Sequence, residues 1–268
     1  YELPLVLRQQ QMDKRILDHF KREPGSGNMD NWIEVVESLK NPKNEVEIAV
    51  VGKYIELTDS YKSIYEALTH GGIANNSRVR FRRIQAEDLA NGDPAAVLGG
   101  IDGILVPGGF GERGLEGKVN TIRYARENNI PFLGICYGMH AAVIEYCRNV
   151  LGIQEASSTE IHKDTPHPVI TLLQDQQDVS EKGGTMRLGG WPCRFQESST
   201  CHKEYGTMDV SERHRHRYEF NNDYRERLQE AGLRISGTSP DGELVEVVEV
   251  ENHPWFVACQ YPPEFQST

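Results

Sequence analysis

No apolar run in the sequence approaches the ~20 residues that a bilayer-spanning helix requires. The opening YELPLVLRQQ also lacks the basic and apolar regions of a signal peptide, so no membrane association is expected and a cytoplasmic location follows by default. Cysteine is scarce: Cys136, Cys147, Cys193, Cys201 and Cys259 form an odd set with no CxxC pair, which argues against a disulfide scaffold and a zinc knuckle. Positive charge is in short supply as well. The 29 Lys and Arg face 40 Asp and Glu, for a formal charge of -11, so the surface repels a phosphate backbone and nucleic acid is a poor partner. Internal repeats, low-complexity segments, metal-ligand spacings and a phosphate-binding P-loop are all missing. What is present, 38% hydrophobic and 26% charged residues in 268, is a globular balance with material for one large domain or a domain with an appendage.

The first stretch, residues 1–20, mixes an extended apolar start with a short helical pattern in RILDHF and has too little apolar surface to fold alone. Residues 21–45 read as a linker containing one short amphipathic helix, because Pro, Gly, Ser and Asn cluster around it. From residue 46 the pattern becomes regular. EVEIAVVGKY, VRFRRI, IDGILV and IPFLGIC read as strands, and YKSIYEALTHGG, KVNTIRYARENN and YGMHAAVIEYCRNVLG read as the helices between and after them. Such alternation predicts right-handed crossovers and an α/β fold, a doubly wound, mostly parallel sheet with helices on both faces. After residue 165, HPVITLL, TMRLGG, LRISGT, LVEVVEV and WFVACQY predict an added β region that returns to the sheet near the end.

Chemistry concentrates at two glycine turns. Gly134-Ile135-Cys136-Tyr137-Gly138, between an apolar strand and a helical pattern, has the form of a nucleophile elbow. Flanking glycines permit the tight turn that lifts Cys136 at the carboxyl end of a parallel sheet, and a helix N-terminus there favours thiolate over thiol. Pro107-Gly108-Gly109-Phe110-Gly111 ends the preceding strand, and its backbone N–H groups are placed to hold an oxyanion. The four remaining cysteines read as packed thiols.

GICYGMH, VPGGFG, CQYPPEF and the order of strands and helices resemble the class I glutamine amidotransferases. Within that class, VGKYIELTDSYKSIYEAL, SSTEI, GGTMRLG, ERHRHRYEFNN and NHPWFVACQY are similar to the CTP synthase family. The resemblance covers most of residues 46–268 and implies a flavodoxin-like class I amidotransferase domain. It also implies that residues 1–20 are the tail of a synthetase domain whose remainder is absent. In such enzymes a cysteine attacks the amide of L-glutamine, ammonia leaves, and a glutamyl thioester is hydrolysed. The ammonia would pass to the synthetase domain, which aminates UTP to CTP with ATP and Mg2+; no cofactor or metal is implied for the amidotransferase domain itself. The full-length enzyme would be a homotetramer assembled largely through that absent part. Position by position, Cys136 would be the nucleophile. Gly108, Gly109 and Phe110 would form the loop beside the substrate, Gly109 stabilising the oxyanion. Glu160 and Arg217 would bind the amino and carboxylate groups of glutamine, and Tyr137 would line its pocket.

One position departs from the family pattern. Its late motif has histidine, proline, glutamate, whereas this chain reads Pro262-Pro263-Glu264, so the general base is missing while the carboxylate that orients it, Glu264, remains. Proline can neither take nor give a proton, and weakened glutaminase activity follows. His140, one helical turn after Cys136 where the family has glutamine, is the candidate for a surrogate base or, more simply, a pocket-lining residue. Two other readings are a glutamine-binding or regulatory module without turnover, which Pro262 favours, and an amidotransferase for another product such as GMP, which GGTMRLG and RHRHRYE oppose.

Overall fold

A computed structural model describes residues 1–23, 25, 27–57, 59–172 and 186–267. Its contacts divide the chain into two units, residues 1–46 with 68–80, and residues 47–67 with 81–268. In the first, the expected extended start is instead a helix, Leu3–Gln9, followed by Met12–His19, with no buried residue in either. Pro4 does not prevent this, because a proline in the first helical turn lacks only an N–H that has no partner there anyway. The segment read as a linker contains the helix Asp30–Lys40, which buries Val36. Within this unit Trp32 Nε1 donates to the Tyr1 carbonyl at 2.8 Å and Lys40 pairs with Glu2 at 2.8 Å.

The strands, in chain order, are β1 Asn44–Gly52, β2 Ser77–Gln85, β3 Gly103–Val106, β4 Phe132–Ile135, β5 Ala156–Ser158, β6 His167–Leu172, β7 Arg187–Phe195, β8 Asp209–His216, β9 Tyr218–Phe220, β10 Leu233–Thr238, β11 Val245–Val250 and β12 Phe256–Cys259. Nine form one sheet in the order β2-β1-β3-β4-β12-β11-β10-β7-β8, and β5-β6-β9 form a second, small one. The pairs β1–β3, β3–β4 and β4–β12 are parallel. β3 and β12 are buried along their whole length, as strands covered on both faces must be. The added β region continues the same sheet: β12–β11, β11–β10, β10–β7 and β7–β8 are antiparallel. Leu173 of HPVITLL and Gly183 to Thr185 of GGTMRLG lie outside the described residues.

Two helices pack together against the parallel strands, Leu115–Glu127 and Tyr137–Asn149. They bury Leu115, Ile122, Met139 and Ile144 in the same core as Phe132 and Phe256, whose rings lie 4.4 Å apart. The second helix approaches β3 so closely that a Cβ on Gly138 would fall 2.1 Å from the Val106 carbonyl oxygen.

That approach separates two otherwise similar substitutions. Gly138→Ala is expected to destabilise the chain by roughly 2–4 kcal/mol, because strand and helix must separate to admit the methyl group. Gly71→Ala, inside the helix Lys62–Ala74 with nothing within 4 Å of the added carbon, is expected to be neutral or stabilising by up to about 1 kcal/mol. Thermal unfolding of both variants checks this, and equal melting temperatures would remove the packing argument.

Candidate active site

Parallel register brings the chemistry-bearing turns together. Val106 of β3 lies opposite Gly134 of β4, and Cys259 of β12 opposite Ile135, so the residues after all three strands emerge side by side. Cys136 follows β4 with φ 52° and ψ −103°, a left-handed conformation that costs a residue with a Cβ about 1–3 kcal/mol. Its N–H donates to the Cys259 carbonyl at 2.7 Å, and its own carbonyl accepts from Met139 and His140 N–H at 2.9 and 3.1 Å. The flanking glycines act differently from the sequence expectation. Neither takes a positive φ; the cysteine takes it, and the glycines allow close approach, with a Cβ on Gly134 standing 3.0 Å from Ala258 Cβ and from the Gly138 backbone.

The thiol state also differs from expectation. Burial pushes the Cys136 thiol up to about 12, and this outweighs the lowering contributed by the Tyr137 N–H at the helix start. Glu219 and Glu160 push it in the same direction as burial, while Lys118 opposes them. The other four cysteines are buried and free.

Cys136 lies in a cavity of about 300 Å³ lined by Gly109, Phe110, Cys136, His140, Glu160, Met186, Arg215, His216, Arg217 and Tyr218. Six of the ten residues named from the sequence line it: Cys136, Gly109, Phe110, His140, Glu160 and Arg217. Gly108 sits behind the turn, where an added Cβ would be 3.6 Å from Cys136 Cβ. Tyr137, expected to line the pocket, is buried beneath it; its hydroxyl donates to the Gly111 carbonyl at 2.5 Å and braces the loop from inside. Gly111 N–H in turn donates to Glu160 at 2.9 Å. Burial raises the Glu160 carboxyl above its ordinary range, while Gly111 N–H, Lys53 and Arg217 hold it down. A depression of about 750 Å³ beside Leu5 and Ile33, and another of about 540 Å³ beside Arg148 and His162, contain no cysteine.

Four cavity residues were not singled out from the sequence: Met186, Arg215, His216 and Tyr218. Three belong to RHRHRYE, whose alternation carried the signal. In β8, Glu212, His214 and His216 are buried, whereas Arg213 and Arg215 are exposed. His216 Nε2 donates to Glu219 at 2.7 Å, and Arg187 pairs with Glu219 at 3.2 Å and with Glu246 at 2.7 Å, all within the interior.

His140 does not reach the sulfur directly. Its Nε2 donates to Gln260 Oε1 at 2.9 Å, and Gln260 Nε2 donates to Cys136 Sγ at 3.6 Å. A carboxamide therefore stands between imidazole and thiol, and burial lowers His140 to about 4, leaving it neutral and weakly basic. His253 is structural: it accepts from Trp255 N–H at 3.2 Å and donates to the Ala125 carbonyl at 3.3 Å.

Pro262 and Glu264 lie outside the cavity lining, at the turn after β12. Glu264 Oε2 is buried with no hydrogen-bond partner among the described residues, and burial pushes its carboxyl up to about 7.

Comparison with known proteins matches residues 56–268 to the class I glutamine amidotransferase family. The chain is 54% identical over 278 residues to CTP synthase of Desulfotalea psychrophila and 53% identical over 269 residues to that of Clostridium beijerinckii. In both cases all of this chain aligns with 50% of the relative, so it spans about half the length of the relatives it matches. Among solved structures, the glutaminase domain of a Trypanosoma brucei CTPS with bound acivicin superposes with a TM-score of 0.77 at 40% identity, covering 83% of this chain and 88% of that one. A glutamine amidotransferase from Methylobacillus flagellatus, at 12% identity and a TM-score of 0.51, covers 82% of this chain and 71% of its own and shares the fold.

The stranded carboxyl gives a pH dependence of definite sign. An acid whose folded pKa lies above its ordinary value keeps a proton that the unfolded chain releases, so its contribution to stability falls as pH rises from about 4.5 to about 7. Glu264→Gln should therefore leave the melting temperature nearly unchanged at pH 5 and raise stability by about 2 kcal/mol at pH 8. A gain of the same size at both pH values would show that Glu264 is not held protonated.

Proposed function

Because the chain belongs to the class I glutamine amidotransferase family, as a glutaminase domain of the CTP synthase kind, we propose that it binds L-glutamine against Cys136 and carries a glutaminase site from which the proton acceptor is missing. The observation that carries this reading is the cavity itself, whose lining holds a nucleophile, Cys136, together with a carboxylate, Glu160, and a guanidinium, Arg217. An α-amino acid presents one charge of each sign, and arginine grips a carboxylate through two parallel bonds. With both ends held, the side-chain amide would be presented to Cys136.

In the reaction, sulfur attacks the amide carbon and the carbonyl oxygen gains negative charge facing the N–H groups of the Gly108–Gly109 turn. Ammonia leaves with a proton, a glutamyl thioester remains on Cys136, and water releases glutamate. The thiol proton must go somewhere before sulfur attacks. With Pro262 at the family's histidine position, no imidazole there receives it, and desolvation of the half-buried thiol disfavours its ionised form. Binding and oxyanion contacts remain, so catalysis is weakened by orders of magnitude rather than lost with the fold. In the longer protein implied by the relatives, ammonia would reach a synthetase domain that aminates UTP to CTP with ATP and Mg2+, all outside this chain.

A glutamine-binding module without turnover is the second reading, and Pro262 is the observation that favours it. Ammonia release from glutamine separates the two. The chain should give little or none, Pro262→His should raise the rate roughly a hundredfold or more, and Cys136→Ala in that background should abolish it. If glutamine raises the melting temperature and the Pro262→His chain still releases no ammonia, the module reading replaces the enzyme.

Recognition is tested separately. Glu160→Gln and Arg217→Met should each weaken glutamine binding roughly tenfold or more, read as a loss of thermal shift in the chain and a rise in KM in the Pro262→His background. Unchanged affinity in both variants would remove them from the binding site.

A further inference from the structure

Lys118 lies on the helix Leu115–Glu127 and is 0% exposed. Its Nζ has no hydrogen-bond partner among the described residues and sits 4.5 Å from the centroid of the Tyr137 ring. A buried ammonium without a carboxylate or carbonyl is costly, and an apolar side chain of similar length would pack at this place without that cost. Its surroundings give it a use. A Cβ on Gly109 would stand 3.5 Å from Lys118 Nζ, and one on Gly108 would stand 3.6 Å from Cys136 Cβ. Amine and nucleophile therefore lie against consecutive residues of one turn. Lys53, on the other side of the turn, already donates to the Phe110 carbonyl, so Lys118 is the lysine at this turn whose charge is uncommitted.

We propose that Lys118 is a positioning residue of the glutaminase site, its buried amino group supplying the positive charge that faces the negative charge formed on Cys136 sulfur and on the substrate carbonyl oxygen. Burial and the neighbouring Lys53 bring the amine down to about 7, while Cys136 and Glu87 pull the other way. At neutral pH it is thus poised between its two states. Negative charge arriving on the sulfur makes it hold its proton, and in a water-poor site that coupling is strong. The oxyanion half of this inference rests on the glutaminase reading; the thiolate half does not.

The test therefore reads ionisation of Cys136 rather than turnover. Alkylation by iodoacetamide is followed against pH by mass spectrometry of the peptide carrying Cys136, in the chain as it stands and in Lys118→Met and Lys118→Arg. Lys118→Met should slow the reaction roughly tenfold below pH 7, where Lys118 carries its charge, with the difference shrinking above that pH, and Lys118→Arg should restore the rate. An unshifted profile in a folded Lys118→Met chain overturns the proposal. A second measurement needs no substitution: NMR of the lysine-labelled chain before and after carboxymethylation of Cys136 with iodoacetate. The added carboxylate should move the Lys118 titration upward, and a stationary midpoint overturns the proposal equally. A shifted profile together with a Pro262→His chain that releases no ammonia would retain the charge coupling and remove the glutaminase.

Discussion

The backbone of Cys136 is the constraint on which the rest depends. A residue with a Cβ at φ 52° persists only if its surroundings over-determine it, and here every neighbour contributes. Its N–H is held by the end of β12 and its carbonyl by the first turn of the next helix. That helix can begin so close to β3 only because position 138 carries no side chain. The parallel run β3-β4-β12 then fixes what surrounds the sulfur: the glycine turn after β3 on one side and Gln260 after β12 on the other. A displaced register in any of the three strands would break at least one of these contacts.

The antiparallel half of the sheet supplies the opposite wall. Arg187, at the start of β7, is buried between Glu219 and Glu246, and His216 closes the group by donating to Glu219. Such a cluster adds little net stability over a well-packed apolar core, yet removing one member strands the others at several kcal/mol. Its value here is positional. β7 and β8 pair with Arg187 opposite His216, so the cluster locks the turn between β8 and β9 from which Arg217 and Tyr218 enter the cavity. The described end of GGTMRLG, from Arg187, and the start of RHRHRYE are thus joined through the β7–β8 pairing.

Legibility in the sequence tracked the range of the interactions. The parallel strands were readable as short apolar runs between helical patterns, and the elbow as two glycines around a cysteine, because both signals are local. β5, β8 and β9 were not, since Ala156–Ser158 and Tyr218–Phe220 are three residues each and β8 reads as a run of charge. Only the buried partners Glu219 and Glu246 give His214 and His216 an interior to enter. The extended start was misread because apolar YELPLVL carries no strong period, while Pro4 is compatible with a first helical turn. The role of Tyr137 was misplaced for a related reason: adjacency to the nucleophile does not fix direction, and its side chain points under the loop. A helix N-terminus, visible in sequence, lowers the Cys136 thiol, whereas desolvation, which sequence does not show, raises it more.

On the proposed reading, Pro262 changes the chemistry of the site more than its architecture. The contacts that shape the elbow come from Cys259 and Gln260, upstream of the proline, and β12 keeps its register with β4 through Cys259. Two residues past the proline, Glu264 Oε2 is buried with no hydrogen-bond partner among the described residues, and burial raises its carboxyl to about 7. His140 is linked to the sulfur only through the Gln260 amide among the described hydrogen bonds, and a carboxamide does not relay protons as an imidazole does. Substrate recognition and proton transfer therefore reside in separable parts of the fold. Glu160 and Arg217 reach the cavity from the second sheet and its connections, independently of the turn after β12. On the proposed reading, the chain would keep the shape and charge that select glutamine while lacking the group that lets the thiol act on it.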